Sequence, residues 1–328
     1  MSFISNLANS IINGCEISKE DAINLAKTDD LDELLKNADL IRKHFCGDEF
    51  NLCSIINAKS GRCSENCKYC AQSTHFKTSS PVYPLLDDEV IYKEAFKFEN
   101  KGVHRFSLVM SGKGVKDNGS ELPKLEEIYK FLSQNSKIHL CGSFGIVSYE
   151  TLLKLKNAGL KTYHHNLETS RRFYPQICST HTYDDRINTI KNAKLAGLDV
   201  CSGGIFGMGE NLIDRIDMAF DLKELKISSV PLNILSPIKG TPLEKLPPLP
   251  KDEILKSIAI FRFILPKAYL RYAGGRNNLG EFVETGLKGG INSALTGDFL
   301  TTKGDGVESD KKMVLRNGFK MENKCLMD

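Results

Sequence analysis

The sequence predicts an α/β chain whose main body is a (β/α)8 TIM-type barrel. Two observations support this prediction: eight short, apolar, β-rich runs recur along the chain, and segments with helical periodicity separate most of them. Strands that alternate with helices form a parallel sheet, and eight such units close into a barrel. The pattern leaves one alternative, an open doubly wound sheet with helices on both faces.

The elements follow in chain order. Residues 1–48 predict short amphipathic helices with turns at Gly14 and at 28–30, which form an N-terminal helical extension. Residues 49–302 contain the barrel, in which the Pro-rich stretch 243–250 is a loop. Residues 303–328 form a short polar C-terminal tail with one amphipathic stretch at 313–319. The predicted strands are 51–57, 104–110, 137–141, 161–167, 199–206, 229–235, 268–273 and 291–295. The predicted helices include 121–134, 148–158, 183–196, 211–225 and 251–264.

The composition is that of a globular protein, with 41% hydrophobic and 26% charged residues. The 44 basic and 41 acidic residues leave a net charge of +3 without a basic block, which argues against nucleic acid as the main partner. No stretch approaches the roughly 18 apolar residues that a membrane span needs. The first ten residues lack the pattern of a secretory signal. We therefore expect a cytoplasmic protein without a membrane partner, whose ten cysteines are reduced.

Three of these cysteines, Cys63, Cys67 and Cys70, follow the first predicted strand in the stretch GRCSENCKYC. Loops at the carboxyl ends of barrel strands form the active sites of this fold, so the position favours a functional role. Three thiolates on one loop can hold one metal centre but do not complete a shell of four ligands. One interpretation is a zinc site with His75 as the fourth ligand. The other is an iron–sulfur cube with one iron open to a substrate.

The spacing C-x3-C-x2-C with an aromatic residue before the last cysteine, here Tyr69, resembles the motif of the radical S-adenosylmethionine (SAM) enzymes. The chain resembles the biotin synthase family among them over about residues 40–305. The stretches that carry this resemblance are NAKSGRCSENCKYCAQS, YHHNLETS, HTYDDRINTIKNAKLAGL, VCSGGIFGMGE, VPLNIL, KGTPL and YLRYAGGR.

This resemblance implies a 4Fe-4S cluster on Cys63, Cys67 and Cys70, whose open iron binds SAM. An electron from the cluster then cleaves SAM to a 5′-deoxyadenosyl radical. It also implies conversion of dethiobiotin to biotin, with sulfur from an auxiliary iron–sulfur cluster. The implied partners are an electron donor such as flavodoxin or ferredoxin and a second copy of the chain in a homodimer.

The family pattern also implies which residues contact SAM and substrate. For SAM these are Tyr69, Ser111, Gly112, Asn166, Glu168, Arg186, Gly204 and Gly207. Glu168 can accept from both ribose hydroxyls, and Arg186 can pair with the methionyl carboxylate in a bidentate manner. Asn233, together with Asn166, is implied for the ureido ring of dethiobiotin. His164 stands where the family has an asparagine. Taken without the family, Arg186 is equally well explained by a surface ion pair with an aspartate of YDDR.

The auxiliary cluster of the family is held by three barrel cysteines and one arginine. Cys141, Cys201 and Arg271 match three of these positions, but the fourth holds Ser107, whose hydroxyl is a much poorer iron ligand. We expect Cys53 to replace it, because strands one, three, five and seven supply side chains to one interior layer. A thiolate on another strand changes the site, so either a 2Fe-2S or a larger four-iron cluster is consistent with it. The alternative is that Cys53 is a buried core side chain.

The remaining cysteines are weaker candidates. Cys178 falls in a loop before a predicted helix, and Cys15, Cys46 and Cys325 lie outside the predicted strands. Two other functions stay open. One is a different radical SAM enzyme that rearranges an amino acid or matures a metal cluster. The other is a zinc-stabilised binding protein without redox chemistry.

Overall fold

At the centre of the computed structural model, which describes residues 2–297, 300 and 306–321, parallel strands form a closed barrel. The strands are β1 (Asn51–Lys59), β2 (Arg105–Met110), β3 (His139–Ser143), β4 (Thr162–His164), β5 (Asp199–Cys201), β6 (Gly204–Phe206), β7 (Ser229–Ile234), β8 (Tyr269–Tyr272) and β9 (Ser293–Leu295). Neighbours in the sheet follow the order β5, β4, β3, β2, β1, β9, β8, β7 and β6, and β5 also pairs with β7, which closes the ring. The predicted barrel is therefore confirmed, and the open doubly wound sheet is wrong.

The fifth position of the barrel holds two short strands, β5 and β6, where the sequence predicts one run over 199–206. Between them, Ser202 donates its amide to the carbonyl oxygen of Ser229 at 3.0 Å. A β-carbon on Gly203 would lie 1.9 Å from the carbonyl oxygen of Pro231, so only glycine fits at this break. The interruption allows β7 to pair with both halves.

Three helices precede the barrel, as the sequence predicts for residues 1–48. They are α1 (Phe3–Ile12), α2 (Lys19–Ala26) and α3 (Leu31–Cys46). Each begins at a polar side chain that accepts a hydrogen bond from the backbone amide of the third helical residue: Ser2, Ser18 and Asp30. These caps stabilise the helix starts locally.

The outer helices alternate with the strands and cover the barrel. They are α4 (Asp88–Asn100), α5 (Glu121–Asn135), α6 (Tyr149–Ala158), α7 (Tyr174–Ile177), α8 (Tyr183–Leu195), α9 (Leu212–Glu224), α10 (Lys251–Ile264), a 3-10 helix (Arg276–Phe282) and α11 (Val283–Leu287). The N-terminal helix α3 packs on α10, and α2 packs on both α9 and α10. Thr182 and Asp185 form a capping box at the start of α8, which sets the direction of the next side chain, Arg186. None of the helices described here is long and apolar enough to cross a membrane.

A last helix, α12 (Val307–Arg316), returns to the beginning of the barrel. The sequence predicts an amphipathic stretch only at 313–319, because the first half of α12 is strongly charged. Its Asp310 is nevertheless buried in an ion pair with Arg276 of the 3-10 helix, a partner that local periodicity does not reveal. Phe319 packs edge-on against Phe50, with ring centroids 5.2 Å apart. The boundary predicted at 302 and Cys325 lie outside the described residues.

Candidate active site

The loop that carries the clustered cysteines folds back on itself after β1. Cys63 donates its amide to the Gln72 carbonyl at 3.0 Å and accepts from the Thr74 amide at 2.8 Å, while the amide of Cys70 donates to the carbonyl of Cys67 at 3.0 Å. With this backbone arrangement all three thiols line one cavity of about 300 Å³. The loop thus brings the three predicted cluster ligands together.

The zinc interpretation requires His75 beside these thiols, but the structure gives its ring another partner. His75 is exposed, and its Nε2 lies 3.0 Å from the carbonyl oxygen of Ser64. In the described part of the chain, one group of cysteine, histidine and acidic side chains has ligand atoms within 4.8 Å of one another: Cys67, Cys178 and His181, all buried. Cys178 therefore lies beside the cluster loop, although its sequence position makes it only a weak candidate.

A buried network surrounds Cys178 and His181. The Sγ atoms of Cys178 and Cys67 are 3.7 Å apart, and His181 Nδ1 lies 2.6 Å from Glu65 Oε2. The hydrogen bond that the Cys67 thiol donates raises its own pKa and lowers the pKa of Cys178. Burial alone would raise the pKa of Glu65, but hydrogen bonds from Thr180 and His181 outweigh it and lower that pKa.

Six of the residues implied for SAM line the same cavity as the three thiols: Tyr69, Ser111, Gly112, Asn166, Glu168 and Arg186. The guanidinium of Arg186 is held on three sides. Its Nε donates to the hydroxyl of Tyr174 at 2.6 Å, its Nη1 to the carbonyl of Asn166 at 2.8 Å and its Nη2 to Nε2 of His181 at 3.1 Å. A charged fork fixed in this way is suited to a carboxylate.

The surface ion pair considered for Arg186 is wrong, because its side chain is buried. The two aspartates of YDDR have other partners. Asp185 accepts from the amide of Thr182 at 2.7 Å in the capping box, and Asp184 pairs with Arg171 at 2.9 Å. Helix capping and a surface pair thus account for the acids, and Arg186 faces inward.

Glu168 occupies a strained position on the cavity wall. Its φ of +72° lies in the left-handed region, which is uncommon for a residue other than glycine and concentrates at functional sites. Burial raises the pKa of its carboxyl, and Arg186, whose Nη1 is 3.8 Å from Oε1, opposes that rise. The side chain is thus placed to accept hydrogen bonds inside the cavity.

Gly204 and Gly207, which the family pattern implies as SAM contacts, are not among the residues that line this cavity. A β-carbon on Gly204 would lie 2.5 Å from the carbonyl oxygen of Glu168, so glycine is needed for backbone packing there. Gly207 has a φ of +95° and donates its amide to Glu210 Oε1 at 2.8 Å. Backbone geometry explains both glycines, and a SAM contact at either stays a prediction.

A second layer of side chains lies deeper in the barrel. Cys53 on β1, Cys141 on β3, Cys201 on β5 and Arg271 on β8 are all buried, and all but Cys141 line the cavity. Burial raises the pKa of both Cys53 and Cys141, and the charges of Arg271 and Cys201 act on each of them. Three of these four buried side chains therefore line one cavity, in agreement with the interior-layer argument. Their role as iron ligands stays a prediction.

The polar groups of this layer fit an iron–sulfur cluster. Arg271 donates from Nη2 to Asn51 Oδ1 at 3.0 Å, whereas its Nε is buried with no hydrogen-bond partner among the described residues. The hydroxyl of Ser107, which stands opposite Cys141 in the sheet register, is also buried and without a partner there. A buried N–H that lacks an acceptor, next to three thiols, is suited to the sulfur atoms of an anionic cluster.

Arg105 on β2 lies beside this layer and is absent from the predicted site. It pairs in register with Cys53, it is buried, and its Nη1 lies 3.4 Å from Thr162 Oγ1. Its charge opposes the rise in pKa that burial causes at Cys53 and Cys141. The sequence does contain a signal for Arg105: it is an arginine in the otherwise apolar predicted strand RFSLVM. A buried charge needs a compensating group, so such a residue is a candidate for a site inside the barrel.

Asn233, at the end of β7, lines the same cavity. Its Oδ1 accepts from the amide of Gly274 at 2.9 Å, and its Nδ2 donates to the carbonyl of Gly204 at 3.1 Å. These bonds fix the amide plane and leave one N–H and one lone pair for a ligand. His164 also lines the cavity, and burial together with the charge of Arg271 lowers its pKa to about 3, so its ring is neutral at pH 7.

Comparison with known proteins identifies the family of the chain. Residues 58–222 match the Radical SAM superfamily, and residues 231–320 match the Biotin and Thiamin Synthesis associated domain. The biotin synthase of Campylobacter hominis is 61% identical over 316 residues, which cover 96% of this chain and 97% of that protein. The biotin synthase of Fusobacterium nucleatum is 59% identical over 326 residues, which cover 97% of this chain and 91% of that protein.

Two solved structures share the fold. Methylornithine synthase superimposes with a TM-score of 0.83 at 21% identity, over 96% of this chain and 97% of that one. The FeFe-hydrogenase maturase of Carboxydothermus hydrogenoformans superimposes with a TM-score of 0.82 at 19% identity, over 98% of this chain and 80% of that one. Identities this low establish the fold alone. The sequence relatives establish more: the chain belongs to the biotin synthase family of radical SAM enzymes.

Proposed function

We propose that the chain converts dethiobiotin to biotin by sulfur insertion, with SAM and a 4Fe-4S cluster as the radical source and an auxiliary iron–sulfur cluster as the sulfur source. The observation that carries this proposal is the extent of one cavity. The cysteine loop, six of the eight residues implied for SAM and the deep-layer residues Cys53, Cys201 and Arg271 all line it. A substrate held between the loop and the deep layer therefore lies between the radical source and the sulfur source.

When bound, the 4Fe-4S cluster and SAM supply an electron transfer, C–S cleavage and a 5′-deoxyadenosyl radical that abstracts hydrogen from unactivated carbon. The chain itself holds and orients the reactants. Arg186 presents a buried guanidinium to the methionyl carboxylate, and Glu168 presents carboxylate oxygens to the ribose hydroxyls. The hydrogen bonds of Arg186 to Tyr174 and His181 fix the guanidinium before the ligand binds. Binding therefore costs little further conformational entropy of this side chain.

The substrate side of the site has its own space. A second cavity of about 270 Å³ shares Tyr69, Asn166, Glu168 and Asn233 with the first, so the two cavities together have room for SAM and a second molecule, and the first cavity connects Asn233 with the deep layer. A cyclic urea offers both N–H donors and a carbonyl acceptor, which match the N–H and the lone pair that Asn233 has left. This match supports Asn233, with Asn166, as the ureido contact.

The deep layer completes the proposal. Cys53, Cys141, Cys201 and Arg271 would hold the auxiliary cluster, either 2Fe-2S or a larger four-iron form. Sulfur insertion replaces two C–H bonds of the substrate by two C–S bonds, so a sulfur source must adjoin the substrate. From family membership we further propose a flavodoxin or ferredoxin as electron donor, a homodimer, and the cytoplasm, where thiols stay reduced.

The test is turnover by anaerobically purified protein with SAM, a chemical reductant and dethiobiotin. We expect 5′-deoxyadenosine and biotin, with biotin formed only when dethiobiotin is present. SAM cleavage without biotin would instead indicate a different radical SAM reaction, such as amino-acid rearrangement or cluster maturation. A colourless protein with one zinc per chain would indicate the zinc-stabilised binding protein.

A further inference from the structure

We infer that Cys178 tunes the 4Fe-4S cluster by donating an S–H hydrogen bond to the cluster-bound sulfur of Cys67. The inference rests on the proposed function, because it takes Cys63, Cys67 and Cys70 as the cluster ligands. Cys178 is buried directly after α7, and its Sγ is 3.7 Å from the Sγ of Cys67. The three ligand cysteines line the cavity, whereas Cys178 does not. Cys178 therefore contacts Cys67 from behind rather than facing the cluster.

His181 does not accept the Cys178 proton, because both of its ring nitrogens are engaged. Nη2 of Arg186 lies 3.1 Å from Nε2, and since a guanidinium only donates, Nε2 accepts and carries no hydrogen. A neutral ring then carries its hydrogen on Nδ1, which donates to Glu65 Oε2 at 2.6 Å. Nδ1 is also 3.4 Å from Cys178 Sγ, so any bond there runs from the ring to the sulfur.

The oxygen acceptors near Cys178 already have donors. Oδ1 of Asn66, 3.4 Å from Cys178 Sγ, accepts from the backbone amides of Ser179 and Thr180 at 3.0 and 3.3 Å. The hydroxyl oxygen of Thr180, 3.5 Å from the sulfur, accepts from the amide of Asn66 at 3.1 Å. The two lone pairs of the Asn66 oxygen are therefore occupied, whereas the Thr180 hydroxyl keeps one lone pair. A cluster-bound Cys67 sulfur is an anionic acceptor and so forms the stronger hydrogen bond with the Cys178 thiol.

Cluster binding reverses this hydrogen bond. When both side chains are thiols, Cys67 donates to Cys178. Iron binds the thiolate, so a cluster-bound Cys67 has no proton and can only accept. The two Sγ atoms are 3.7 Å apart, which is within hydrogen-bond distance for sulfur, so the thiol of Cys178 is then the donor.

A donor at this position favours the reduced cluster. Reduction adds one electron, and hydrogen bonds to the sulfurs are one of the factors that set the potential of such clusters. A thiol is a weak donor, so the effect is small. We expect loss of the Cys178 thiol to lower the ratio of reduced to oxidised cluster about threefold at a fixed applied potential. At 59 mV per tenfold change, this corresponds to a reduction potential that is about 28 mV more negative.

The test is a redox titration followed by electron paramagnetic resonance on the anaerobic holoprotein. The radical cluster is the one whose signal changes when SAM is added. Cys178→Ala removes the donor and Cys178→Ser keeps one. Cys46→Ala is the matched control, because Cys46 is a buried cysteine elsewhere, in contact with Arg262 and the Pro266 carbonyl. We expect a more negative potential in Cys178→Ala, and values closer to wild type in the other two.

A second readout detects the hydrogen itself. In wild-type protein exchanged into D2O, electron–nuclear double resonance should find a deuteron coupled to the reduced cluster, and Cys178→Ala should lose it. The inference is overturned if Cys178→Ala, with a full iron content, has the same reduction potential as wild type. It is also overturned if Cys178→Ala loses the SAM-responsive cluster, because Cys178 would then be a ligand. If the variants do not fold by circular dichroism, absence of the deuteron coupling in wild type overturns it. A wild type without a SAM-responsive cluster refutes the proposed function instead.

Discussion

Arg271 on β8 donates from Nη2 to the side-chain oxygen of Asn51 on β1, 3.0 Å away, across the intervening strand β9. Its Nη1 also lies 3.3 Å from the Asn51 carbonyl. The guanidinium is buried, so these bonds decide where its charge sits in the layer of Cys53, Cys141 and Cys201. Asn51 therefore positions the arginine that we propose as an auxiliary-cluster ligand.

Replacing Asn51 by alanine should disturb the auxiliary site and leave the radical cluster in place. A hydrogen bond to a buried charged group contributes about 1.5–3 kcal/mol, so Asn51→Ala should lower the free energy of unfolding by about that amount. Iron and sulfide counts should fall by part or all of the auxiliary cluster, while SAM-responsive signals persist. An Asn51→Ala protein with a full iron count and wild-type biotin yield would show that Arg271 needs no such support.

Cys53→Ala should remove the auxiliary cluster or change its type, because no other cysteine of the first strand can replace the thiolate. Mössbauer spectra and iron counts of anaerobic protein measure this directly. The double variant Cys53→Ala/Ser107→Cys moves the thiol to the position where the family has one. Since Ser107 stands opposite Cys141 in the register, we expect this variant to regain auxiliary iron. An unchanged auxiliary signal in Cys53→Ala would make Cys53 a core side chain.

Arg186→Lys should weaken SAM binding by about 10- to 100-fold, because an ammonium does not form the planar two-point contact with a carboxylate. Equilibrium dialysis of anaerobic protein with labelled SAM measures the affinity, and iron counts verify that the cluster is intact. Arg171→Lys is the control, since Arg171 is an exposed arginine paired with Asp184. Equal SAM affinity in Arg186→Lys and wild type would remove Arg186 from the SAM site.

The stability of the fold should fall in mild acid through His104. Its Nδ1 accepts from the amide of Leu52 at 3.0 Å, and burial, with the charge of Arg271, lowers its pKa from 6.5 to about 4. A proton therefore binds better to the unfolded chain. This contribution to stability is complete above pH 6.5 and is lost as pH falls from there toward 4.

Urea unfolding at pH 7 and pH 5 tests this dependence. His104→Asn keeps an acceptor for Leu52 but cannot be protonated, so its midpoint should fall less than that of wild type between the two pH values. His44→Asn, at an exposed histidine, should behave like wild type. If the urea midpoint falls by the same amount between pH 7 and pH 5 in all three proteins, His104 is not the source of the pH dependence.

The barrel was predictable because most of its strands and helices have a clear local periodicity, and the cysteine loop was predictable because its three cysteines are neighbours in sequence. The placement of Cys53 with Arg271 also followed, since alternate strands share a layer. The places of Arg105 and Cys178 could not be predicted, because they depend on contacts between distant segments. The break at Gly203 could not be predicted either, because it depends on the close approach of the Pro231 carbonyl of β7. The family pattern implied SAM contacts at Gly204 and Gly207 that backbone packing explains without a ligand.

The buried pair of Arg276 and Asp310 should hold α12 against the barrel. Both side chains are at most 2% exposed, so Asp310→Asn would take one counter-charge away from a buried guanidinium. Breaking a buried pair by removing one partner costs up to about 3–5 kcal/mol, and we expect the free energy of unfolding to fall by up to that amount. Glu308→Gln is the control in the same helix, because its pair with Lys311 is solvent-exposed and contributes about 1 kcal/mol at most. Limited proteolysis should cleave α12 faster in Asp310→Asn than in Glu308→Gln. Equal urea midpoints for the two variants would mean that the packing of Phe319 on Phe50 suffices to hold the helix.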